Sequence, residues 1–253
     1  MGTIQDNKIY YDNYDWRHTG EQWASRWGGT DVQWYGTILP RIHAFLPAPT
    51  ILEIGAGHGR LAQFLEPHCD RLFVVDMTKC CVEACRKRFA GNPKVECVHN
   101  DGLGLGWVED ESIDFFFSFF SLVHADHATM RSYMLEIAEK LRPNGSAFLH
   151  HSNAAACTNV EAADYAPLND YRDASVSAEI IAGLAEEAGL TCRSQELFGW
   201  ETDKLLTDCF SVLARPCSRQ GKPNTIIRNW DFPFEAEKLG QLSRAYGASG
   251  YAS

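Results

Sequence analysis

Positive charge is scarce in this chain of 253 residues. Lysine and arginine number 23 against 33 aspartates and glutamates, which leaves a formal net charge of −10. A polyanion is bound through many basic side chains, because the phosphates that a protein contacts must be neutralised. The composition therefore disfavours a nucleic-acid partner and favours a neutral small-molecule or oligosaccharide one.

Long apolar stretches are also missing. No run reaches the roughly 18 apolar residues that a membrane-spanning helix needs, so we expect no membrane partner. The chain begins without a signal-peptide pattern, and "MGTIQD" has Asp6 at the position where myristoylation requires Ser or Thr. These absences predict a cytoplasmic protein.

Nine cysteines are present, but they lack the spacing of metal ligands. No C-x-x-C motif pairs with a second one. Three of the cysteines fall in a predicted helix and three others in predicted strands: Cys80, Cys81 and Cys85, then Cys97, Cys192 and Cys209. We expect reduced, buried thiols and no structural metal site.

Apolar strands and amphipathic helices alternate between residues 50 and about 152. The predicted strands are TILEIG, RLFVVD, KVECVHND, SIDFFFSFF and SAFLHHS, and the helix at 128–141 places Met130, Met134, Ile137 and Leu141 on one face. Continuous apolar strands between helices indicate a parallel sheet covered on both faces. Two closely spaced strands after the helix at 177–189 predict an antiparallel C-terminal hairpin.

Composition divides the chain into three parts. Residues 1–48 are rich in Tyr and Trp and predict an aromatic-rich helical lid. Residues 49–216 contain the α/β domain. Residues 217–253 are polar and irregular up to a terminal helix, and we expect this extension to pack on the domain.

The stretch ILEIGAGHGR, residues 51–60, places three glycines between a strand and a helix. Glycine lets backbone N–H groups approach a ligand closely, and an acid at the end of the next strand, here Asp76, binds ribose hydroxyls. This arrangement predicts a site for an adenosine-containing ligand. The dinucleotide pattern G-x-G-x-x-G would need a glycine at position 60, which is Arg60.

The G-x-G-x-G spacing with Glu53 inside the strand resembles class I S-adenosylmethionine-dependent methyltransferases. "NDG" (100–102), "SIDFFFSFFSLVHA" and "LRPNGSAFLHHS" resemble later motifs of that family in the same order, so the resemblance covers roughly residues 50 to 215. It implies a doubly wound, Rossmann-like, seven-stranded, mostly parallel sheet.

The resemblance also implies roles for individual residues. Glu53 would hold the methionine amino group, the three glycines would line the methionine part, and Asp76 would bind the ribose diol. The cofactor-binding set it implies is Glu53, Gly55, Gly57, Gly59, Asp76, Met77, Asp101, Gly102, Ser118 and Trp34.

Histidines concentrate where the fourth and fifth predicted strands end. "SLVHADH" and "LHHSN" contribute His124, His127, His150 and His151. Methylation of a neutral hydroxyl needs a base or a metal to remove its proton, and an imidazole suits the role of base. We predict His151 as the base, then His150, then His124. For His150 and His151 the alternative is a histidine satisfied within the sheet or bound to the cofactor carboxylate, and for His124 it is a contact with the lid. The same cluster leaves room for a divalent cation such as Mg²⁺.

Two further stretches, "RWGGTDVQWYGTILPRI" (26–42) and "HHSN", resemble bacterial sugar O-methyltransferases. Flat aromatic faces stack on sugar rings, so tryptophans of the lid suit such an acceptor. The predicted acceptor-binding residues are Trp27, Asn153, Tyr171 and Arg172. A small aromatic hydroxyl, an amine, a protein that binds the cofactor without transfer, and a homodimer all stay open.

Overall fold

The computed structural model describes residues 3–157, 172–216 and 224–247. In this part of the chain eight strands form one sheet. They are β1 (Thr50–Ile54), β2 (Arg71–Asp76), β3 (Val95–His99), β4 (Ile113–Ser118), β5 (Leu141–Ser152), β6 (Thr191–Phe198), β7 (Asp208–Ala214) and β8 (Thr225–Asn229).

The sheet runs in the order β3-β2-β1-β4-β5-β7-β6-β8. The five strands from β3 to β5 are parallel, and β7 pairs antiparallel with both β5 and β6, as the predicted hairpin requires. The predicted number of seven strands is wrong, because β8 adds to β6 in parallel at the edge. This strand was missed since only Ile226 and Ile227 are apolar in it and both are exposed.

Helices cover the sheet and form the two ends of the described chain. They are α1 (Ile4–Asp12), α2 (Thr30–Gln33), α3 (Leu39–Ile42), α4 (Ala62–Leu65), α5 (Lys79–Arg88), α6 (His127–Lys140), α7 (Ala178–Glu187) and α8 (Phe232–Tyr246). A π-helical turn, Trp34–Ile38, joins α2 to α3. The side chain of Asp126 caps α6 by accepting the N–H of Thr129 at 2.8 Å. Within the described ranges no helix is both long and apolar enough to cross a membrane.

Apolar side chains fill the space on both faces of the sheet. Phe116 of β4 belongs to the cluster beneath α6 and α7. Its neighbours Phe115 and Phe117 point the other way, into the cluster beneath the N-terminal segment and α8. This alternation follows from the period of two along a strand and explains why β4 is continuously apolar.

The C-terminal helix α8 packs against the N-terminal segment through glycine contacts. A Cβ atom at Gly240 would lie 2.1 Å from the carbonyl oxygen of Arg26, and one at Gly28 would lie 2.7 Å from the Ser243 side chain. The backbones of α8 and of residues 21–28 therefore approach more closely than a Cβ atom at either glycine would allow. Residues 225–247 thus contribute to the same body as the predicted lid.

We expect Gly240→Ala to destabilise the protein although alanine favours helix. The propensity gain of about 1 kcal/mol is outweighed by the clash with Arg26, which should cost about 1–3 kcal/mol more than it returns. The matched control is Gly183→Ala in α7, where a Cβ would meet nothing within 4 Å. This control should gain roughly 0.5–1 kcal/mol in urea unfolding. Equal stabilisation of both variants would contradict the close packing of α8.

Candidate active site

A cavity opens at the carboxyl ends of β1, β2 and β4. The connections after β1 and β4 leave in opposite directions here, which is where ligands bind in open α/β sheets. Its walls come from the glycine loop after β1, the turns after β2 and β3, the loop after β4, α1 and α6. Its lining includes Ile4, Asn7, Tyr11, Trp16, Trp23, Gly55, Gly57, Asp76, Met77, Thr78, Asn100, Gly102, Phe120, Ser121, His124, Thr129 and Tyr133.

The three predicted glycines do different things. Gly55 and Gly57 line the cavity. A Cβ at Gly55 would lie 1.7 Å from Ser121 Oγ, so glycine lets the loop after β4 close over β1. Gly59 does not line the cavity. It faces α5 instead, since a Cβ there would lie 3.0 Å from Phe89 and 3.2 Å from the Cys85 thiol. Its predicted contact with the ligand is therefore replaced by close packing of α5.

The Asp76 carboxylate lines the cavity and holds the glycine loop. Oδ2 accepts the N–H of Gly57 at 2.8 Å, and Oδ1 accepts the N–H of Thr78 at 2.7 Å. Burial raises the pKa of Asp76 to about 6, and these hydrogen bonds act in the opposite direction. Met77 follows it in the wall, with its sulfur 3.3 Å from where a Cβ at Gly102 would lie. The predicted residues Asp76, Met77 and Gly102 are thus brought together.

Asp101 does not join them. Its side chain is exposed and Oδ1 accepts the N–H groups of Leu103 and Gly104 at 2.9 and 3.0 Å. These bonds lower the pKa of Asp101 and stabilise the loop after β3. The preceding Asn100 lines the cavity instead, so it replaces Asp101 as the polar residue at this wall. The "ND" pair in the sequence was the signal, but the wrong member was chosen.

Ser118 and Trp34 also lie away from the cavity lining. Ser118 is fully buried, and its hydroxyl donates to the Ile54 carbonyl at 3.0 Å, which joins β4 to β1. Trp34 is stacked on Phe64 with ring centroids 5.2 Å apart, in the apolar core. Both predicted contacts with the cofactor are corrected to structural roles.

A small polar annex shares the glycine loop with the main cavity. Glu53, His58 and Arg60 line it. Glu53 Oε2 is buried and has no hydrogen-bond partner among the described residues, and burial raises the pKa of Glu53 to about 8 against the opposing effect of Arg60. Arg60 was noted in the sequence only as a departure from a glycine pattern. It is buried and donates to Gln33 Oε1 at 2.6 Å.

His151 is not placed to act as a base on a ligand in this cavity. Its ring is fully buried in β5, with Nδ1 2.8 Å from the Ser152 carbonyl oxygen and Nε2 2.7 Å from Ser211 Oγ. Burial lowers the pKa of His151 to about 4. Successive strand residues point to opposite faces, and His151 points into the core.

His150, the second candidate, is fully buried on the other face. Its Nδ1 accepts the N–H of Phe120 at 3.1 Å, and its Nε2 lies 2.9 Å from Asp208 Oδ1. Both ring nitrogens are therefore engaged within the protein, and His150 acts behind the wall of the cavity. Its predicted role as base is corrected accordingly.

His124, the third candidate, lines the cavity. It ends the 3₁₀ turn Leu122–His124, and its carbonyl oxygen accepts the Asn7 side-chain N–H at 2.8 Å, which ties this turn to α1. Of the three predicted bases, His124 is therefore the one that a bound ligand could contact.

Five aromatic side chains form a closed ring around this part of the cavity. The centroid distances are 6.2 Å for Tyr11–Trp16, 5.5 Å for Trp16–Trp23, 6.2 Å for Trp23–Phe120, 6.3 Å for Phe120–His124 and 5.8 Å for His124–Tyr11. All five line the cavity. We refer to them as the aromatic ring. Tyr11, Trp16 and Trp23 belong to the predicted lid, residues 1–48, whereas Phe120 was not predicted to line a site.

Three of the four predicted acceptor-binding residues lie outside the cavity lining. Trp27 is buried in the core and donates its indole N–H to Thr37 at 2.8 Å. Asn153 bonds the Leu206 carbonyl and the Ala178 N–H, at 2.6 and 2.8 Å. Arg172 pairs with buried Asp208 at 2.8 Å, and Tyr171 lies outside the described residues.

The described residues also give no support to a divalent cation. Among them, no three His, Cys, Asp or Glu side chains are grouped so as to hold a metal ion.

The cavity fits S-adenosylmethionine. The unpartnered Glu53 Oε2 offers a carboxylate to the amino group of the methionine part, and Asp76 lies in the wall where a ribose would contact it. Between them, a Cβ at Gly57 would lie 3.6 Å from Trp16, so the Trp16 ring packs over the glycine loop there. Asn100, Met77 and Tyr133 would surround the base.

Residues 51–145 match a family model described as a methyltransferase domain. The match runs from β1 into β5 and so contains the glycine loop, Asp76, Asn100 and His124. The match covers less than half of the chain and falls within the region whose motif order predicted a methyltransferase domain.

Solved methyltransferase structures share the fold. One described as an S-adenosylmethionine-dependent methyltransferase from Leishmania major has a TM-score of 0.61 at 14% identity, over 83% of this chain and 82% of that chain. The N-methyltransferase NodS from Bradyrhizobium japonicum WM9 has a TM-score of 0.56 at 17% identity, over 74% and 97%. A structure described as a sarcosine dimethylglycine methyltransferase from Galdieria sulphuraria has a TM-score of 0.55 at 15% identity, over 72% and 83%.

One curated relative matches a short segment. Ribosomal RNA small subunit methyltransferase A from Geobacter metallireducens is 42% identical over 55 residues, which are 22% of this chain and 20% of that protein. The chain thus spans about a fifth of the length of that relative. Together the comparisons confirm the predicted class I methyltransferase fold and leave the acceptor open.

We expect Glu53→Gln to stabilise the ligand-free protein at pH 8 relative to pH 5. A carboxyl whose pKa rises from 4.5 to about 8 on folding binds its proton more tightly in the folded state. Stability is therefore lost as the pH rises through this range, and the amide abolishes that loss. The expected gain at pH 8 relative to pH 5 is about 3 kcal/mol in urea unfolding.

The charge of Asp76 helps to raise the pKa of Glu53, so the two proteins are compared at each pH under the same conditions. The control is Glu83→Gln on the exposed face of α5, which should leave the pH dependence unchanged. A Glu53→Gln difference that is constant between pH 5 and pH 8 would contradict the raised pKa.

Proposed function

We propose that this chain, whose central region is a class I methyltransferase domain, transfers a methyl group from S-adenosylmethionine to a hydroxyl of a sugar or another small polyhydroxylated acceptor. His124 acts as the general base. The observation that carries the proposal is the position of His124 within the aromatic ring, in the wall of the same cavity that Gly55 and Gly57 line. When bound, S-adenosylmethionine supplies the electrophilic methyl group on a sulfonium.

The chain's residues divide the work of binding. Glu53 and the glycine loop hold the methionine part from the annex side, and Asp76 holds the ribose. The aromatic ring then lies on the far side of Gly55 and Gly57, where an acceptor would approach. Trp23 and Phe120 line both the annex and the main cavity and so stand between the two.

His124 removes the acceptor's proton as its oxygen attacks the methyl group. A neutral hydroxyl is a poor nucleophile until its proton is taken, so a positioned imidazole accelerates the transfer. The bond from Asn7 to the His124 backbone fixes the turn, and the rings of Tyr11 and Phe120 flank the imidazole. The proton ends on the imidazole and passes to solvent when the product leaves.

The aromatic ring supports a polyhydroxylated acceptor. Trp16 and Trp23 meet edge to face at 5.5 Å, and Trp16 is stacked on His58 at 4.8 Å. Such faces pack on the C–H groups of a sugar while its hydroxyls reach polar neighbours such as Asn7 and Thr129 in the same wall. A net charge of −10 also disfavours an anionic acceptor.

An amine acceptor is the second candidate, and the same ring favours it. Aromatic faces attract cations, and the named activities of NodS and of the Galdieria sulphuraria protein are methylations of nitrogen compounds. An amine needs less help from a base than a hydroxyl does. The two candidates therefore differ in their dependence on His124.

We expect His124→Gln to lower the rate of transfer to a hydroxyl by about 10²–10⁴-fold. The assay incubates the protein with isotopically labelled S-adenosylmethionine and a panel of glycosides, aromatic hydroxyls and amines, with mass-spectrometric detection of methylated product. Affinity for S-adenosylhomocysteine, measured by calorimetry, should change by less than about threefold, since the substitution leaves Glu53, Asp76 and the glycine loop intact.

The matched control is His127→Gln, an exposed histidine at the start of α6. It should transfer at the wild-type rate. Turnover of amines that is insensitive to His124→Gln, with no glycoside methylated, would replace the proposed acceptor by an amine.

A further inference from the structure

We propose that His150 is a positioning residue: together with Asp208 and Arg172 it holds Phe120 in the backbone conformation that completes the aromatic ring. Of the tests below, only the KM for the acceptor rests on the proposed function. His150 touches neither the cavity nor the annex, so its effect on a ligand passes through Phe120.

Phe120 has an unusual backbone. Its φ is +59°, in the left-handed region that residues with a Cβ rarely adopt. This conformation turns the chain sharply at the end of β4, so that Ser121 closes over Gly55 and the Phe120 ring enters the cavity wall. Strained backbone of this kind persists only where surrounding contacts fix it.

His150 supplies one such contact by accepting a backbone proton. The Phe120 N–H donates to His150 Nδ1 at 3.1 Å, so Nδ1 carries no proton. The proton of the neutral imidazole must then be on Nε2, which donates to Asp208 Oδ1 at 2.9 Å. One tautomer satisfies both bonds, and Asp208 selects it.

Asp208 is in turn fixed from two further directions. Arg172 Nε donates to Oδ1 at 2.8 Å, and the Thr207 hydroxyl donates to Oδ2 at 2.7 Å. The carboxylate is fully buried, and the charge of Arg172 together with the bond from His150 keeps the pKa of Asp208 well below its usual range. The acceptor for His150 Nε2–H is therefore always ionised.

The same network also holds the Phe120 side chain. Trp200 stacks on it with ring centroids 4.4 Å apart, and the Arg172 guanidinium lies 5.2 Å from its centroid. The backbone of Phe120 is thus held by His150 of β5, which Asp208 of β7 orients. Its ring is held by Arg172, before α7, and by Trp200, after β6. A histidine that only filled the core would not need this directed pair of bonds.

Two variants of His150 separate the bond to Phe120 from the bond to Asp208. In His150→Asn, Oδ1 lies near the position of Nδ1 and still accepts the Phe120 N–H, but the side chain no longer reaches Asp208. In His150→Gln, the amide N–H lies near the position of Nε2 and still donates to Asp208, but the Phe120 N–H has no acceptor. Both lose the imidazole, so general destabilisation affects them alike.

We expect the Phe120 amide to exchange its hydrogen at least about tenfold faster in His150→Gln than in His150→Asn, as measured by ¹⁵N-resolved NMR. The KM for the acceptor should likewise be at least about tenfold higher in His150→Gln than in His150→Asn. The Kd for S-adenosylhomocysteine should differ less than about threefold between the two. Equal exchange rates and equal KM values in the two variants would overturn the proposal.

The wild-type protein provides a test that needs no variant to fold. With ¹⁵N-labelled histidine, His150 should show an unprotonated Nδ1 and a protonated Nε2, with the reverse tautomer overturning the proposal. Neither this experiment nor amide exchange requires turnover. Failure to methylate any acceptor would therefore count against the proposed function alone.

Discussion

The hydrogen bonds that Asp76 accepts from Gly57 and Thr78 fix the floor of the cavity. A buried carboxylate is costly unless its oxygens are bonded, and two backbone amides meet that need here. Because one amide belongs to the glycine loop and the other to the turn after β2, this single group sets how the two loops face each other. Glu53 lies on the neighbouring strand β1, and its Oε2 has no hydrogen-bond partner among the described residues. Glu53 therefore binds a proton more readily than Asp76 does, and its pKa is raised further.

α1, near the start of the described chain, lines one side of the cavity, and α8, near its end, supports the N-terminal segment. α1 places Ile4, Asn7 and Tyr11 on one face towards the cavity, at helical spacing. Asn7 ties this helix to the turn that ends in His124. Behind it, α8 supports the segment Glu21–Trp27 through the contact of Gly240 with Arg26. The aromatic ring therefore depends on contacts that are distant in sequence, with Trp27 and Trp34 serving as core beneath it.

The histidines show how burial separates residues that look alike in a sequence. His150 and His151 are neighbours on β5, and the pleat sends them to opposite faces, each with both ring nitrogens engaged inside the protein. His124 comes from a turn beyond a strand end, where the chain leaves the sheet and side chains can reach a ligand. The two strand positions thus have structural roles, and the histidine at the rim is the one that we propose as the base.

The sequence by itself determined the alternation of strands and helices, the glycine loop with Glu53 and Asp76, and the class of the domain, because these depend on local periodicity and on spacing along the chain. It did not reveal β8, whose two isoleucines lie exposed at an edge, nor the choice between Asn100 and Asp101, which depends on which side chain the loop after β3 turns inward. Only the tertiary structure brought Tyr11, Trp16, Trp23, Phe120 and His124 into one ring, and only it joined His150 to Asp208. Such contacts are set by packing between elements far apart in the chain, which no local pattern of residues records.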